Sequence, residues 1–393
     1  MLHTDSGAYM SIRRSLDTIL KKLEKEFITH NLIEVSGSAI VHNVTMFKDL
    51  HKKQVIPVLK GNAYGHGIDL VATALKSLSL PYIAVDGYFE ALRIREVSEQ
   101  PVLVMGAILP ENSAHLNYDN FSFVVQDEVT IHALGRTGRH IKVHLECNTG
   151  MNRYGAKSDE VRALTTAILG YKNLEFEGVM SHLADSDGED PATVDMAVAQ
   201  FDECVEMVCA TGAKPTMLHV AQTAGSLKAR SKYANMMRLG VGLYGINPFP
   251  ADHDMHRKLN GLKPALKFTS TITKIIDLDP GDMVSYNYTF TAPKKMRVGV
   301  LPVGYYEGIN RALSNVGCVK IGSSYAPIVG RVCMNHTMIN LDAIDAHVGD
   351  VVVVYSDEPT DKNAIDTTAR EHGLFNYTLL TSLNSDVRRR LVS

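Results

Sequence analysis

What most constrains this chain is a rhythm. From about residue 33 to 245, short apolar runs of β-forming residues alternate with longer stretches of helical character. The runs are LIEVSG, VIPVLK, PYIAVDG, PVLVMGA, FSFVVQ, IKVHLE, FEGVMSH, TMLHVA and MRLGVGLYG. They are near-continuously apolar rather than alternating, as parallel strands buried on both faces must be. Eight or nine such units predict an α/β chain whose N-terminal part is a (β/α)8 TIM-like barrel. Polar residues stand at the ends of several runs: Lys60, Asp86, Glu146, His182 and His219. In such barrels the chemistry sits at the C-terminal ends of the strands, so these side chains are expected on one rim.

After about residue 262 the pattern changes to strands without intervening helices, in LKFTSTITKIIDL, MRVGVLPVGY, CVKIGSSYAPIVGRVCM and GDVVVVYS. The expected organisation is therefore an N-terminal helical extension over 1–30, a barrel over 31–261 and a C-terminal, mostly β domain over 262–393. The extension is read from Ile12, Leu16, Ile19, Leu20, Leu23 and Phe27, which recur at helical spacing. With no low-complexity linker between them, the two larger domains are expected to pack together.

Composition narrows the partners. A net charge of −3 offers no basic field for nucleic acid, and no apolar stretch approaches the roughly 20 residues of a membrane span. The five cysteines are odd in number and lack CxxC or zinc spacing, which suits reduced thiols and predicts no metal site. No secretory signal pattern opens the chain, so a cytoplasmic enzyme acting on a small molecule is the expectation.

The most unusual local feature is KGNAYGHG at residues 60 to 67, a lysine that ends an apolar strand and is followed by a glycine-punctuated polar turn. A lysine desolvated at a barrel rim can lose its proton and become a nucleophile toward a carbonyl; a solvated turn lysine is the alternative reading. KGNAYGHG is similar to the cofactor-lysine motif of the alanine racemases, pyridoxal-phosphate enzymes made of a barrel and a β domain. The likeness spans about residues 33 to 390. Further motifs follow in the family's order: NTGMNRYG at 148–155, EGVMSHLADSD at 177–187, HVAQTAG at 219–225 and MRLGVGLYG at 237–245. VSYNYTFTA at 284–292, VGYYEGINR at 303–311 and VGRVCMN at 329–335 complete the set.

The resemblance implies the cofactor pyridoxal 5′-phosphate and roles for individual residues. Lys60 would hold the cofactor and act as base on one face of the substrate, with Tyr286 as base on the other. Two opposed bases are what inversion of an α-carbon needs. Arg153 and His182 would supply the environment that lets a tyrosine act near neutral pH, and Arg238 would face the pyridine nitrogen. Arginine stays protonated, so it donates a hydrogen bond without protonating the ring, which leaves a weaker electron sink. Tyr64, Thr223, Gly240, Val241 and Tyr377 would take the phosphate. Arg153 and the Met334 backbone N–H would take the substrate carboxylate, with Tyr305, Arg331, Arg311 and Asp187 along the way in. The family's head-to-tail homodimer would place Tyr286 and Met334 in the neighbouring subunit's site. The implied activity is interconversion of L- and D-alanine, supplying D-alanine for cell-wall peptidoglycan.

Two positions depart from the family. Glu146 stands where many members have a carbamylated lysine, and is expected to replace that negative charge beside Arg153. Ser385 aligns with a pocket-narrowing tyrosine of alanine-specific members, which opens the alternative of a racemase for serine or larger amino acids. An amino-acid decarboxylase on the same architecture is a further alternative, favoured by Cys333 and disfavoured by Arg238. A non-catalytic pyridoxal-phosphate-binding protein resembling the barrel alone would leave the second domain and Tyr286 without a purpose.

Overall fold

The computed structural model describes residues 27–393, so the helix expected from Ile12 to Phe27, save its last residue, and most of the 1–30 extension lie outside the described residues. Eight parallel strands form the barrel: β2 (Gln54–Pro57), β3 (Ile83–Val85), β4 (Val102–Val104), β5 (Phe121–Val125), β6 (Ile141–Glu146), β7 (Leu174–Met180), β8 (Met217–His219) and β9 (Met236–Leu239). Their spatial order is β2-β9-β8-β7-β6-β5-β4-β3. A parallel bridge from Val58 to Ala84, with Leu59 N–H donating to Ala84 O at 2.8 Å, brings β2 against β3 and closes the ring. Strands β3, β4 and β5 are buried along their whole length, as continuous apolar runs should be.

The outer helices include α1 (Gly37–His51), α2 (Ile68–Ala74), α3 (Tyr88–Val97), α4 (Glu128–Arg136), α5 (Val161–Leu169) and α6 (Pro191–Ala210), followed by the short α7 (Gly225–Lys228). Their starts are written in the sequence. Ser36 accepts from Ala39 N–H ahead of α1, Asp127 from Thr130 N–H ahead of α4, and Asp190 from Ala192 N–H ahead of α6, where Pro191 takes the first position.

The run LIEVSG is not a barrel strand. It forms β1 (Leu32–Ser36), which pairs antiparallel with β10 (Leu266–Thr271) and parallel with a C-terminal strand. Its burial alternates: Ile33 and Val35 are buried while Leu32, Glu34 and Ser36 are partly exposed, the mark of a strand covered on one face. The remaining strands are β11 (Lys274–Leu278), β12 (Met283–Val284), β13 (Phe290–Thr291), β14 (Met296–Leu301), β15 (Cys318–Ile321), β16 (Ser324–Pro327), β17 (Thr337–Asn340), β18 (Val351–Tyr355) and β19 (Arg388–Val392). They build, with β1 and β10, a six-stranded sheet ordered β16-β15-β18-β10-β1-β19, a three-stranded sheet ordered β11-β14-β17 and the two-stranded pair β12-β13, with two short helices, α8 (Ile365–Glu371) and α9 (Asn376–Thr381). One apolar core runs unbroken from the barrel into the six-stranded sheet, and Val284, Ala292, Met296, Val298 and Val329 form a second, small one. No helix among the described residues is long and apolar enough to cross a membrane.

Candidate active site

Lys60 begins a turn of left-handed helix. Gly61, Asn62 and Ala63 hold φ of 64°, 53° and 54°, and Tyr64 follows at 49°. Each non-glycine residue in that conformation costs about 1–2 kcal/mol, so the turn persists only because its surroundings over-determine it. Glu90, on α3, accepts from Gly61 N–H at 2.7 Å and from the N–H groups of Asp86 and Gly87. Asn62 Oδ1 accepts from Ile68 N–H and from Arg93. Arg389, on β19, donates through Nε to Gly65 O at 2.8 Å. Gly65 itself is required: its φ is 82°, and a Cβ there would lie 2.0 Å from Leu380 O.

The turn opens on a cavity of about 860 Å³ at the C-terminal ends of the barrel strands. Lys60, Tyr64, Glu146, Arg153 and His182 line it, as do Thr223, Arg238, Gly240, Val241 and Tyr377. Asp86 lines it too, and Tyr377 comes from α9; of the expected barrel residues, His219 lies behind the lining and Asp187 outside it. Lys60 is not desolvated in the single chain: its side chain is 38% exposed, with Nζ 3.8 Å from Asp86 Oδ1. Glu90, Met105, Gln222 and Thr381 also line the cavity. None of these carries a sequence signal beyond closeness to a strand end or a motif.

Arg238 forms the buried wall of the site. It is 2% exposed and held by five hydrogen bonds: Nη1 donates to His219 Nδ1 at 2.7 Å and His219 O, and Nη2 to Ser181 O, His182 Nδ1 and Val220 O. None of the five uses Nε–H. Burial lowers its guanidinium to about 10, so it remains a cation at neutral pH.

Because a guanidinium only donates, His219 Nδ1 must be a bare acceptor and its proton sits on Nε2. That N–H points at His144 Nδ1, 3.0 Å away, and His144 Nε2 in turn donates to Glu177 Oε2 at 3.1 Å. Glu177 also accepts from Tyr82, Ser122 and Lys142. Burial would raise its carboxyl, but the hydrogen bonds from His144, Tyr82 and Lys142 outweigh this and hold it at about 2. A directed line of hydrogen bonds thus runs from a carboxylate inside the barrel to the arginine at the cavity. His219 is expected on the rim from the sequence, but its partners His144 and Glu177 are not. The signal was a histidine and a glutamate inside apolar strands β6 and β7.

Thr223 Oγ1, also in the lining, accepts from both Gly240 and Gly242 N–H, so its own hydroxyl proton is directed elsewhere. Gly240 N–H, expected to meet a phosphate, is engaged by Thr223. Burial, with Asp86 nearby, pushes the Tyr64 hydroxyl up to about 12, which keeps it a neutral donor. His182 is held at about 3 by burial and by the cations Arg238, Arg153 and Lys60.

The profile of the alanine racemase N-terminal domain matches residues 35–248 and that of the C-terminal domain matches residues 265–391. The chain belongs to the alanine racemase family. It is similar to alanine racemase 2 of Caldanaerobacter subterraneus subsp. tengcongensis, 32% identical over 351 residues, covering 86% of this chain and 89% of the relative. Among solved structures, the alanine racemase of Bacillus anthracis with bound L-Ala-P superposes with a TM-score of 0.84 at 26% identity, over 93% of this chain and 96% of that one. The fold is shared with the Bartonella henselae alanine racemase carrying covalently bound pyridoxal phosphate, TM-score 0.81 at 20% identity, over 93% and 100% of the two chains.

Several residues implied by the family likeness are not in the cavity of their own chain. Tyr286, Met334 and Tyr305 are 67%, 54% and 43% exposed, on the C-terminal part of the molecule. Tyr286 lies in a strained turn, with Ser285 at φ 66°, Asn287 at 61° and Tyr288 at 49°. Arg311 and Asp187 are exposed and Arg331 is partly exposed; none of the three lines the cavity. Ser385 is exposed and also absent from the lining. Glu146 is buried, and burial raises its carboxyl against the pull of Arg238 and Arg153. No ion pair within 4.0 Å joins it to Arg153.

Proposed function

We propose that this chain interconverts L- and D-alanine with pyridoxal 5′-phosphate as cofactor, Lys60 and Tyr286 acting as opposed bases. The observation that carries the reading is the pairing, across one cavity, of Lys60 on its strained turn with the buried Arg238, whose Nε–H is unspent. The residues fit the cofactor: Lys60 would bond to it, Arg238 Nε–H would donate to its ring nitrogen, and His182 would lie beside the ring. Tyr64, Thr223, Gly240, Val241 and Tyr377 would surround the phosphate, the tyrosine and threonine hydroxyls donating to it. Bound there, pyridoxal phosphate supplies the electron sink that makes an amino acid's α-C–H acidic.

The protein's part is to place and move a proton. Lys60 Nζ removes or returns it on one face. Tyr286, exposed on its own chain, would do so on the other face in a second copy of the chain, so the working unit would be a homodimer. Arg153 and the Met334 backbone N–H would fix the substrate carboxylate, and Tyr305 would stand at the approach. Arg238, a cation at neutral pH, donates without giving up its proton, which limits the charge drawn into the ring and favours proton exchange over decarboxylation. Glu146 is read as the resident negative charge that other members obtain by carbamylation, since it lines the cavity with Arg153.

Incubation with each L-amino acid in deuterated water tests the reading. L-alanine should yield D-alanine with deuterium at Cα, and Lys60→Ala and Tyr286→Phe should each abolish this. Serine inverted with a higher kcat/KM than alanine would move the substrate assignment, and carbon dioxide release without inversion would overturn it. For Glu146, activity should be independent of added bicarbonate, and intact-mass analysis should find no carbamate.

A further inference from the structure

A second cavity, of about 410 Å³, lies between the segment that follows β9 and helix α8. It shares no lining residue with the first cavity, yet it reaches the same turn through His66, the single histidine of KGNAYGHG. His66 is fully buried, and its Nδ1 lies 3.1 Å from both Ala63 O and Tyr64 O. Carbonyls only accept, so Nδ1 carries the proton. Burial holds the ring at about 4, so at neutral pH Nε2 is a bare acceptor, and it has no partner among the described residues. A buried acceptor left unpaired costs about 1–3 kcal/mol, which favours a ligand that brings a donor.

The rest of the lining narrows the ligand. Asp366 accepts from neutral amides, Asn376 Nδ2 at 3.0 Å and Asn247 N–H at 3.2 Å, and burial raises its carboxyl; Arg370 and His256 act on its charge, but neither forms an ion pair with it among the described residues. Two acceptors with no cation in contact suit an ammonium, which offers three N–H donors. Arg370, one helical turn further along α8, is exposed and has no carboxylate partner among the described residues. A guanidinium in that position takes a carboxylate. Between them the walls are apolar, from Ile246, Leu259, Leu262 and Ile365. Ammonium, carboxylate and aliphatic body on one small molecule describe a free amino acid.

We propose that this cavity is a second amino-acid site, taking the ammonium of an apolar amino acid at His66 Nε2 and Asp366 and its carboxylate at Arg370. Its occupant acts on the cofactor turn through His66, whose other nitrogen holds the carbonyls of Ala63 and Tyr64. The site stands whether or not alanine is the substrate of the first cavity.

The test is a titration of methyl-labelled holoenzyme with leucine, with 3-methylbutylamine (leucine without its carboxylate) and with 4-methylpentanoate (leucine without its amine). Leucine should shift the methyl resonances of Ile246 and Ile365, and each truncated probe should bind about tenfold or more weakly, the loss of one charge-assisted contact. Arg370→Ala, at an exposed position, should weaken leucine by a similar factor and leave the amine unchanged. Asp366→Asn should weaken both. Unmoved Ile246 and Ile365 resonances would overturn the proposal. So would an amine that binds as tightly as leucine in a protein indifferent to Arg370→Ala.

Discussion

Glu177 does not line the cavity, yet its carboxylate determines how Arg238 meets it. With the carboxylate in place, His144 and His219 are locked as neutral rings with their protons on Nε2, and His219 Nδ1 is the acceptor that anchors the guanidinium. Glu177→Leu removes the acceptor for His144 Nε2–H. This should cost about 1–3 kcal/mol and release the tautomer preference. Glu177→Gln keeps an acceptor oxygen and should largely preserve the tautomers. Nitrogen-15 chemical shifts of the two imidazoles read this directly, and a proton on His219 Nδ1 in the native protein would contradict the arrangement. At this scale the sequence was half legible. Residues tied to a motif, such as Lys60, Tyr64 and Arg238, came together as expected. His144 and Glu177 stayed hidden, because their partners are brought near by strand register rather than by spacing along the chain, and Glu90 because its reach to Gly61 N–H crosses from the helix to the lysine turn.

Among the elements, β19 does more than end the chain. It pairs parallel with β1, and Arg389 from it donates to Leu383 O, Asn384 O and Val387 O as well as to Gly65 O in the lysine turn. Removing residues 388–393 should therefore expose the edge of β1 and loosen the left-handed turn together. The expected outcome is a lower thermal midpoint and faster proteolytic cleavage near residues 61–67. A truncated chain that melts with the full-length protein would show that the turn is held by its barrel contacts alone. The strand β1 is also where periodicity misled. LIEVSG reads as one more apolar run, and only the half-exposed Leu32, Glu34 and Ser36 betray a one-sided strand. Its pairing with β10, over two hundred residues away, has no local signature.

The whole molecule buries histidines in their neutral form, and this sets its acid response. His66 and His182 are held at about 4 and about 3 against an ordinary 6.5, and burial lowers His144 and His219 as well. Between about pH 6.5 and pH 4 the unfolded chain binds protons at these sites and the folded chain does not, so stability falls as pH falls. The slope approaches about 1.4 kcal/mol per pH unit for each proton of difference. Glu177, held at about 2, adds a loss in the same direction below the ordinary carboxylate range. A thermal midpoint that stays level from pH 7 to pH 4.5 would contradict this. By itself the sequence determined the barrel, the β-rich second part, the family and the rim on which the motif residues gather, because strand burial and turn chemistry are local and leave their pattern in neighbouring residues. Tertiary structure alone decided that LIEVSG leaves the barrel, that Arg238 is anchored through two histidines to Glu177, and that His66 opens on a cavity of its own. Those contacts join residues distant in sequence, and their energies depend on burial and hydrogen-bond direction, which no spacing along the chain records.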